Sequence, residues 1–483
     1  MKKEARAKIP GYSNPLITHK YGADPYAIVF NGRVYIYMTS DTLVYDAEGK
    51  VTEVKYSVIN KISVISSKDM VNWTDHGEIP VAGPEGIAKW AKNSWAPAVA
   101  HKIINGKEKF FLYFADNGSG IGVLTGDSPI GPWTDPLGEV MISPNTPGIK
   151  GVWWLFDPAV LVDDDGTSYL YCGGGVPHDK DATSEEISNP KTARVMKLAD
   201  DMIHVDGSAV TIDSPFMFED SGIHKYKGRY YYSYCSNFSG VHPEGAPPKG
   251  EIAYMISDNP MGPFTYVGTI LKNPGVLFGT EGNNHHAIFE FNNQWYITYH
   301  AQTLDKAIAN KPRGYRSTHI NKLDYYENGL IKEVKGDMEG IAQLANLDPY
   351  ERNEAETIAW NSGISTEKSK APAANNANLN LNVTGISNGD WIAVANADFG
   401  KNGAVSFKAN IASIIGGKIE IHLDEEDGEL IGTLNVSTTG GEQSWKEMET
   451  SVKSVKGVHN IYFVFSGKED CNSLFNIDYW QFK

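Results

Sequence analysis

One pattern recurs five times before residue 345, and that recurrence limits the fold more than any other feature of the chain. Asp24 opens "DPYAIVFNGRVYIYMTSD", Trp95 opens "WAPAVAHKIINGKEKFFLYFAD" and Asp157 opens "DPAVLVDDDGTSYLYCGGG". Glu219 opens "EDSGIHKYKGRYYYSYCSN", and His285 opens "HHAIFEFNNQWYITYHAQ". Each unit has a polar or aromatic head, an apolar run, a turn with Gly or Asn, and a second run rich in aromatics. Two such runs around such a turn form a β-hairpin. The heads lie 71, 62, 62 and 66 residues apart. The tails "SSKDMVNWTDHG", "TGDSPIGPWTDP", "KLADDMIHVDG" and "SDNPMGPFTYVG" repeat an outer hairpin, and "NKLDYYENGLIKEV" closes the fifth unit. Five units of about four strands each, with no long helical pattern, predict a five-bladed β-propeller.

In a propeller the innermost strand of each blade starts near the central axis, so the five heads should meet in one funnel. Three of them are carboxylates: Asp24, Asp157 and Glu219. Acids crowded into a half-buried funnel repel one another, and one tends to keep its proton near neutral pH. A protonated acid beside an ionised one suits cleavage of a glycosidic bond, with one protonating the leaving oxygen and the other activating water. Phe216, Met217 and Phe218 precede Glu219 and favour the acid role there, whereas Asp24, between Gly22, Ala23 and Pro25, looks more open and suits the base. Trp95, Trp153, Trp154 and Phe156 lie near the heads and offer flat faces for sugar rings.

After about residue 345 the repeat stops. "STEKSKAPAANNANLNLN" (365–382) has the composition of a loop, and the strands beyond it suggest a β-sandwich of jelly-roll type. The expected division is a propeller over 1–348 and a sandwich over 349–483, an all-β chain throughout. A net charge of -16 argues against nucleic acid or an anionic membrane surface as partner. No apolar run approaches the roughly 18 residues of a membrane span. Cys172, Cys235 and Cys471 lack metal-type spacing, and the first two read as reduced core residues. The N-terminal "MKKEARAKIPGYSNP" has no apolar stretch of the kind a signal peptide carries, so a cytoplasmic location is expected unless a leader has been removed.

Asp24-Pro25-Tyr26, Trp95-Ala96-Pro97, Phe156-Asp157-Pro158-Ala159, Glu219-Asp220-Ser221-Gly222 and the His285 segment, in that order, resemble glycoside hydrolase family 43 across residues 12 to 345. The resemblance implies a five-bladed propeller that inverts at the anomeric carbon. It implies Asp24 as general base, Glu219 as general acid and Asp157 as the carboxylate that orients the acid and tunes its pKa. Arg316 matches an arginine that reaches substrate hydroxyls or the carboxylates; with it, Trp95, Trp154 and Phe156, read from their place near the heads, are the expected substrate-binding residues. His285 matches a histidine on the axis, where a calcium ion or a water sits; His286 is the alternative if the register slips by one.

Residues 353–483 resemble a family 6 carbohydrate-binding module in "NEAE", "NGDWIAVANADFG", "GEQSWKEMET" and "LFNIDYWQF". Glu354, Glu356 and Asp478 match the ligands of a structural calcium. Ile386 and Glu442 stand where such modules carry two sugar-stacking aromatics, and Trp391 and Trp445 match core tryptophans. The tail is therefore expected to bind sugar weakly and to pack on the propeller. The expected activity is release of α-L-arabinofuranose, with β-D-xylose as a further product, from arabinoxylan or xylo-oligosaccharides without an organic cofactor. An endo-arabinanase or a non-catalytic sugar-binding propeller is the alternative. A retaining fructoside hydrolase would need Asn-Asp-Pro and Arg-Asp-Pro segments, which the chain lacks.

Overall fold

The computed structural model describes residues 3–373 and 379–483. The repeat folds as five blades around one axis. Blade I consists of strands Ala23–Phe30, Arg33–Thr39, Lys61–Ser67 and Trp73–Pro80. Blade II runs from Trp95–Ile104 to Trp133–Thr134, blade III from Ala159–Val162 to Val205–Ile212, and blade IV from Met217–Tyr226 to Thr265–Leu271. Blade V has three strands, His286–Phe291, Gln294–Ala301 and Ser317–Leu323. Residues 14–22 close the ring beside the last of these, through Leu16 N–H to Thr318 O and Gly22 N–H to Arg316 O, both 2.9 Å. At the axis, Tyr26 donates its hydroxyl to Val160 O (3.0 Å) and ties blade I to blade III. Cys172 and Cys235 are buried and free.

The heads are bulged. In blades I, II and IV the register slips between Ala23 and Tyr26, Trp95 and Ala98, and Glu219 and Gly222. Asp24, Ala96 and Asp220 inside the slips, and Asp157 at the corresponding place in blade III, all take left-handed φ (48°, 40°, 69° and 49°). A bulge bends its strand and re-aims its side chains, at a backbone cost of about 1–3 kcal/mol for a non-glycine residue. The repeat alignment thus needs correction by one residue: Asp220, not Glu219, is the counterpart of Asp24 and Asp157. Trp95 and Glu219 occupy the preceding position, as Phe156 does.

The C-terminal residues form two facing sheets, a sandwich. One contains Ser365–Lys368, Leu381–Thr384, Asn476–Phe482, Ala404–Ser413 and Gly441–Val455; the other Trp360–Ser362, Trp391–Asp398, Val458–Ser466, Gly417–Leu423 and Glu429–Val436. Phe407, Phe463, Phe465, Trp480 and Phe482 fill the space between them. The loop expected over 365–382 is shorter than its polar composition suggests, because its ends pair as strands, Ser365 opposite Thr384 and Lys368 opposite Leu381. Residues 374–378 of that expectation lie outside the described residues. Two tryptophans also differ from expectation. Trp391 is buried against Val71, Ala359 and Trp360 rather than between the sheets, and Trp445 is only half-buried, with its indole N–H on Gln443. The sandwich-core tryptophan is Trp480.

The two parts share structure. Thr357 and Ile358 add a fifth strand to blade I opposite Thr74 and Trp73, and the ring N–H of Trp391 donates to Lys3 O. Asp75, buried on blade I, collects Lys20 (2.6 Å), His19 (3.0 Å) and the Thr366 hydroxyl (2.7 Å). Trp360 sits in the apolar seam and donates to Tyr12 O at 2.9 Å. Truncating a buried Trp costs about 3–5 kcal/mol. Trp360→Ala should therefore lower the denaturant midpoint of the whole chain, and a melting curve superimposable on wild type would refute the shared seam.

Candidate active site

The funnel ends in one cavity of about 370 Å³, near the small end of ligand pockets. Asp24, Asp157 and Glu219 all line it. So do Trp95, Trp154, Phe156, His285 and Arg316, whereas Trp153 and His286, also singled out from the sequence, do not line it. Trp154 packs edge-on against Phe156 and Phe218 at 5.6 and 5.3 Å, which makes one wall apolar and aromatic.

Asp24 is buried, not open as its small neighbours suggested. Burial alone would raise its pKa, but Arg316, His285 and His300 together outweigh it and hold the carboxyl well below the usual range. Arg316 Nη1 lies 2.9 Å from Asp24 Oδ1. The rest of that guanidinium, with its backbone N–H, is fixed on Asp41 at 2.8–3.0 Å. Arg316 is itself pushed above its ordinary value, because Asp24 and Asp41 outweigh the desolvation that opposes it. His300 Nδ1 lies 3.0 Å from the Asp24 backbone N–H, and its Nε2 lies 3.1 Å from Asn283 O. Asp24 is thus an ionised carboxylate clamped from below.

Glu219 has the opposite setting. Burial, then the charges of Asp157 and Asp24, raise it well above the normal carboxyl range. Its Oε1 is buried without a hydrogen-bond partner. A protonated carboxyl tolerates such a position far better than an anion. Asp157 is raised by the same burial and by Asp24, and its Oδ2 accepts the Asp220 N–H at 2.8 Å.

Asp220 was not foreseen as a site residue. It is fully buried, raised mainly by that burial, and bound by His286 Nδ1 (2.5 Å), the His286 N–H (3.1 Å) and His285 Nε2 (3.1 Å). His285 Nδ1 faces Asp24 at 3.4 Å and Asp157 at 3.8 Å. The imidazole therefore joins three carboxyls, and His286 lies behind it against Ser233 Oγ (2.7 Å). Asp41 and His300 were also missed. They lie at the inner ends of second strands, and the pairing of Ala23 with Thr39 and of His286 with Tyr299 puts those ends beside the heads.

In the sandwich, Arg352 donates to both oxygens of Glu354 (2.8 and 3.0 Å) and reaches Asp478 at 3.4 Å. Asp478 also accepts from Asn380 and Asn410. Glu356 Oε2 is buried without a partner. Among the described residues no three His, Cys, Asp or Glu side chains converge as a metal ion requires. Ile386 is fully buried and Glu442 exposed.

Residues 12–331 match the model of Glycosyl hydrolases family 43, and residues 354–483 that of Carbohydrate binding module (family 6). The chain is 62% identical, over 99% of its length and 75% of the relative's, to an arabinoxylan arabinofuranohydrolase of Paenibacillus polymyxa. A protein of the same name from Bacillus subtilis (strain 168) is 61% identical over 99% and 93%. Among solved structures, a glycoside hydrolase family 43 arabinoxylan arabinofuranohydrolase from Bacillus subtilis, in complex with cellotetraose, superposes with a TM-score of 0.97 at 60% identity, covering 100% of this chain and 99% of that one. An α-L-arabinofuranosidase from Clostridium thermocellum aligns over 66% and 96% with a TM-score of 0.52 at 39% identity.

Proposed function

The chain belongs to Glycosyl hydrolases family 43, and we propose that it removes α-L-arabinofuranose, and β-D-xylose as a further product, from arabinoxylan-derived chains with inversion. The observation that carries this reading is the contrast between two acids of one pocket: Asp24 paired with Arg316 at 2.9 Å, and Glu219 buried with an oxygen that has no partner, a setting that favours its protonated form. Glu219 gives its proton to the glycosidic oxygen as the bond from C1 breaks. Asp24 takes a proton from a water that attacks C1 from the opposite face. Inversion needs about 6.5–9.5 Å between the carboxyls to admit that water. Asp157 holds the strand after Glu219 and keeps its pKa high. A pocket in place of a long groove favours terminal or side-chain sugars over the interior of linear arabinan, and the relatives named above favour arabinose. Nitrophenyl arabinofuranoside, nitrophenyl xyloside and linear arabinan test the substrate, and NMR of the first product tests the stereochemistry. A first product with retained configuration would overturn the mechanism.

His285 serves here as a hydrogen-bond partner of the acids, since an imidazole is not the oxygen ligand that calcium takes. In the sandwich, the buried and unpartnered Glu356 Oε2 suits a hard cation, and Glu354 and Asp478 would join it as calcium ligands, in a purely structural role, once Arg352 gives them up. Addition of a chelator should then lower the melting temperature; an unchanged melt would exclude the ion.

A further inference from the structure

Trp153 stands next in sequence to the pocket-lining Trp154, yet its side chain is 43% exposed. Gly175 joins the two rings: a Cβ there would come within 2.9 Å of Trp153 Cδ1 and 2.9 Å of Trp154 Cδ2. Both indoles therefore rest on one backbone point, and the φ of +78° at that point suits glycine. Trp153 thus extends the aromatic wall outward from the pocket. His178 packs behind it, with ring centroids 5.8 Å apart, and is itself fixed by Glu186 at 2.7 Å. An exposed, braced indole beside a pocket of about 370 Å³ has no packing duty that needs so much open surface.

Resting on the arabinofuranosidase reading above, we propose that Trp153 is the platform for the polymer: its free face receives a xylopyranose ring of the main chain that carries the pentose seated in the pocket. The C–H face of a pyranose removes apolar surface from water when it lies on an aromatic ring, and the shared seat on Gly175 places Trp153 next to the pocket-lining Trp154. The platform would then raise activity on arabinoxylan without a comparable effect on small arabinosides, which leave no xylose outside the pocket.

The test compares kcat/KM on soluble arabinoxylan with that on nitrophenyl arabinofuranoside for wild type, Trp153→Ala and Trp153→Phe. The ratio of the two should fall about tenfold in Trp153→Ala and recover in large part with Phe. An unchanged ratio in a variant that melts like wild type overturns the platform. So does an equal loss on both substrates, which would mean that Trp153 merely props Trp154. Failure of the wild type to cleave nitrophenyl arabinofuranoside would instead strike the arabinofuranosidase reading and is seen before any variant is made.

Discussion

Glu219→Gln should cut turnover of arabinoxylan about 10²–10⁴-fold, the range that general-acid assistance supplies. The amide keeps the shape of the side chain, and the position already tolerates a neutral group, so the fold should be unaffected. The loss depends on the leaving group. A xylose hydroxyl leaves poorly without a proton, whereas nitrophenolate leaves with little help, so the deficit should be largest on the polymer and smallest on the nitrophenyl glycoside. The pH profile gives a second reading. Activity needs Glu219 protonated, and its raised pKa sets the alkaline limb of kcat/KM. That limb should vanish in the Gln variant. An equal loss on both substrates with the alkaline limb intact would remove Glu219 from the acid role.

Most of this arrangement was legible because it is written locally. Asp24-Pro25 and Asp157-Pro158 announce themselves at the start of repeated hairpins, and the repeat fixes the propeller. Glu219 was found although its register is one residue off, since Glu219 and Asp220 stand side by side. Their roles were not separable, because only the bulge decides which acid faces the pocket and which turns down to His285 and His286. Asp41 and His300 left no local trace. Their partners, Arg316 and Asp24, are 275 and 276 residues away in sequence. The same holds for the ionised state of Asp24, which comes from those distant groups and not from exposure. Trp391 was misplaced for a related reason: a tryptophan in an alternating strand is apolar whether it meets a facing sheet or another domain.

Asp24→Asn should cost about 10²–10⁴ in kcat as well, but with a different signature. Here the proton is lost from the attacking water, an event common to every substrate. The deficit should therefore be similar for arabinoxylan and nitrophenyl arabinofuranoside, unlike that of the Glu219 variant. A nucleophile that needs no deprotonation bypasses the defect. Azide should restore part of the activity of Asp24→Ala and yield the β-arabinofuranosyl azide, because it enters from the face opposite the bond that Glu219 protonates. Arg316 supplies a graded version of the experiment. Asp24 must be ionised to act, and the guanidinium 2.9 Å away is the leading influence that keeps it so against the cost of burial. Arg316→Met removes that influence, Asp24 then takes up its proton at higher pH, and the acid limb of kcat/KM should move upward. An acid limb that stays in place, or an azide product of the α configuration, would mean that water is activated elsewhere and that Asp24 serves only to hold the arginine.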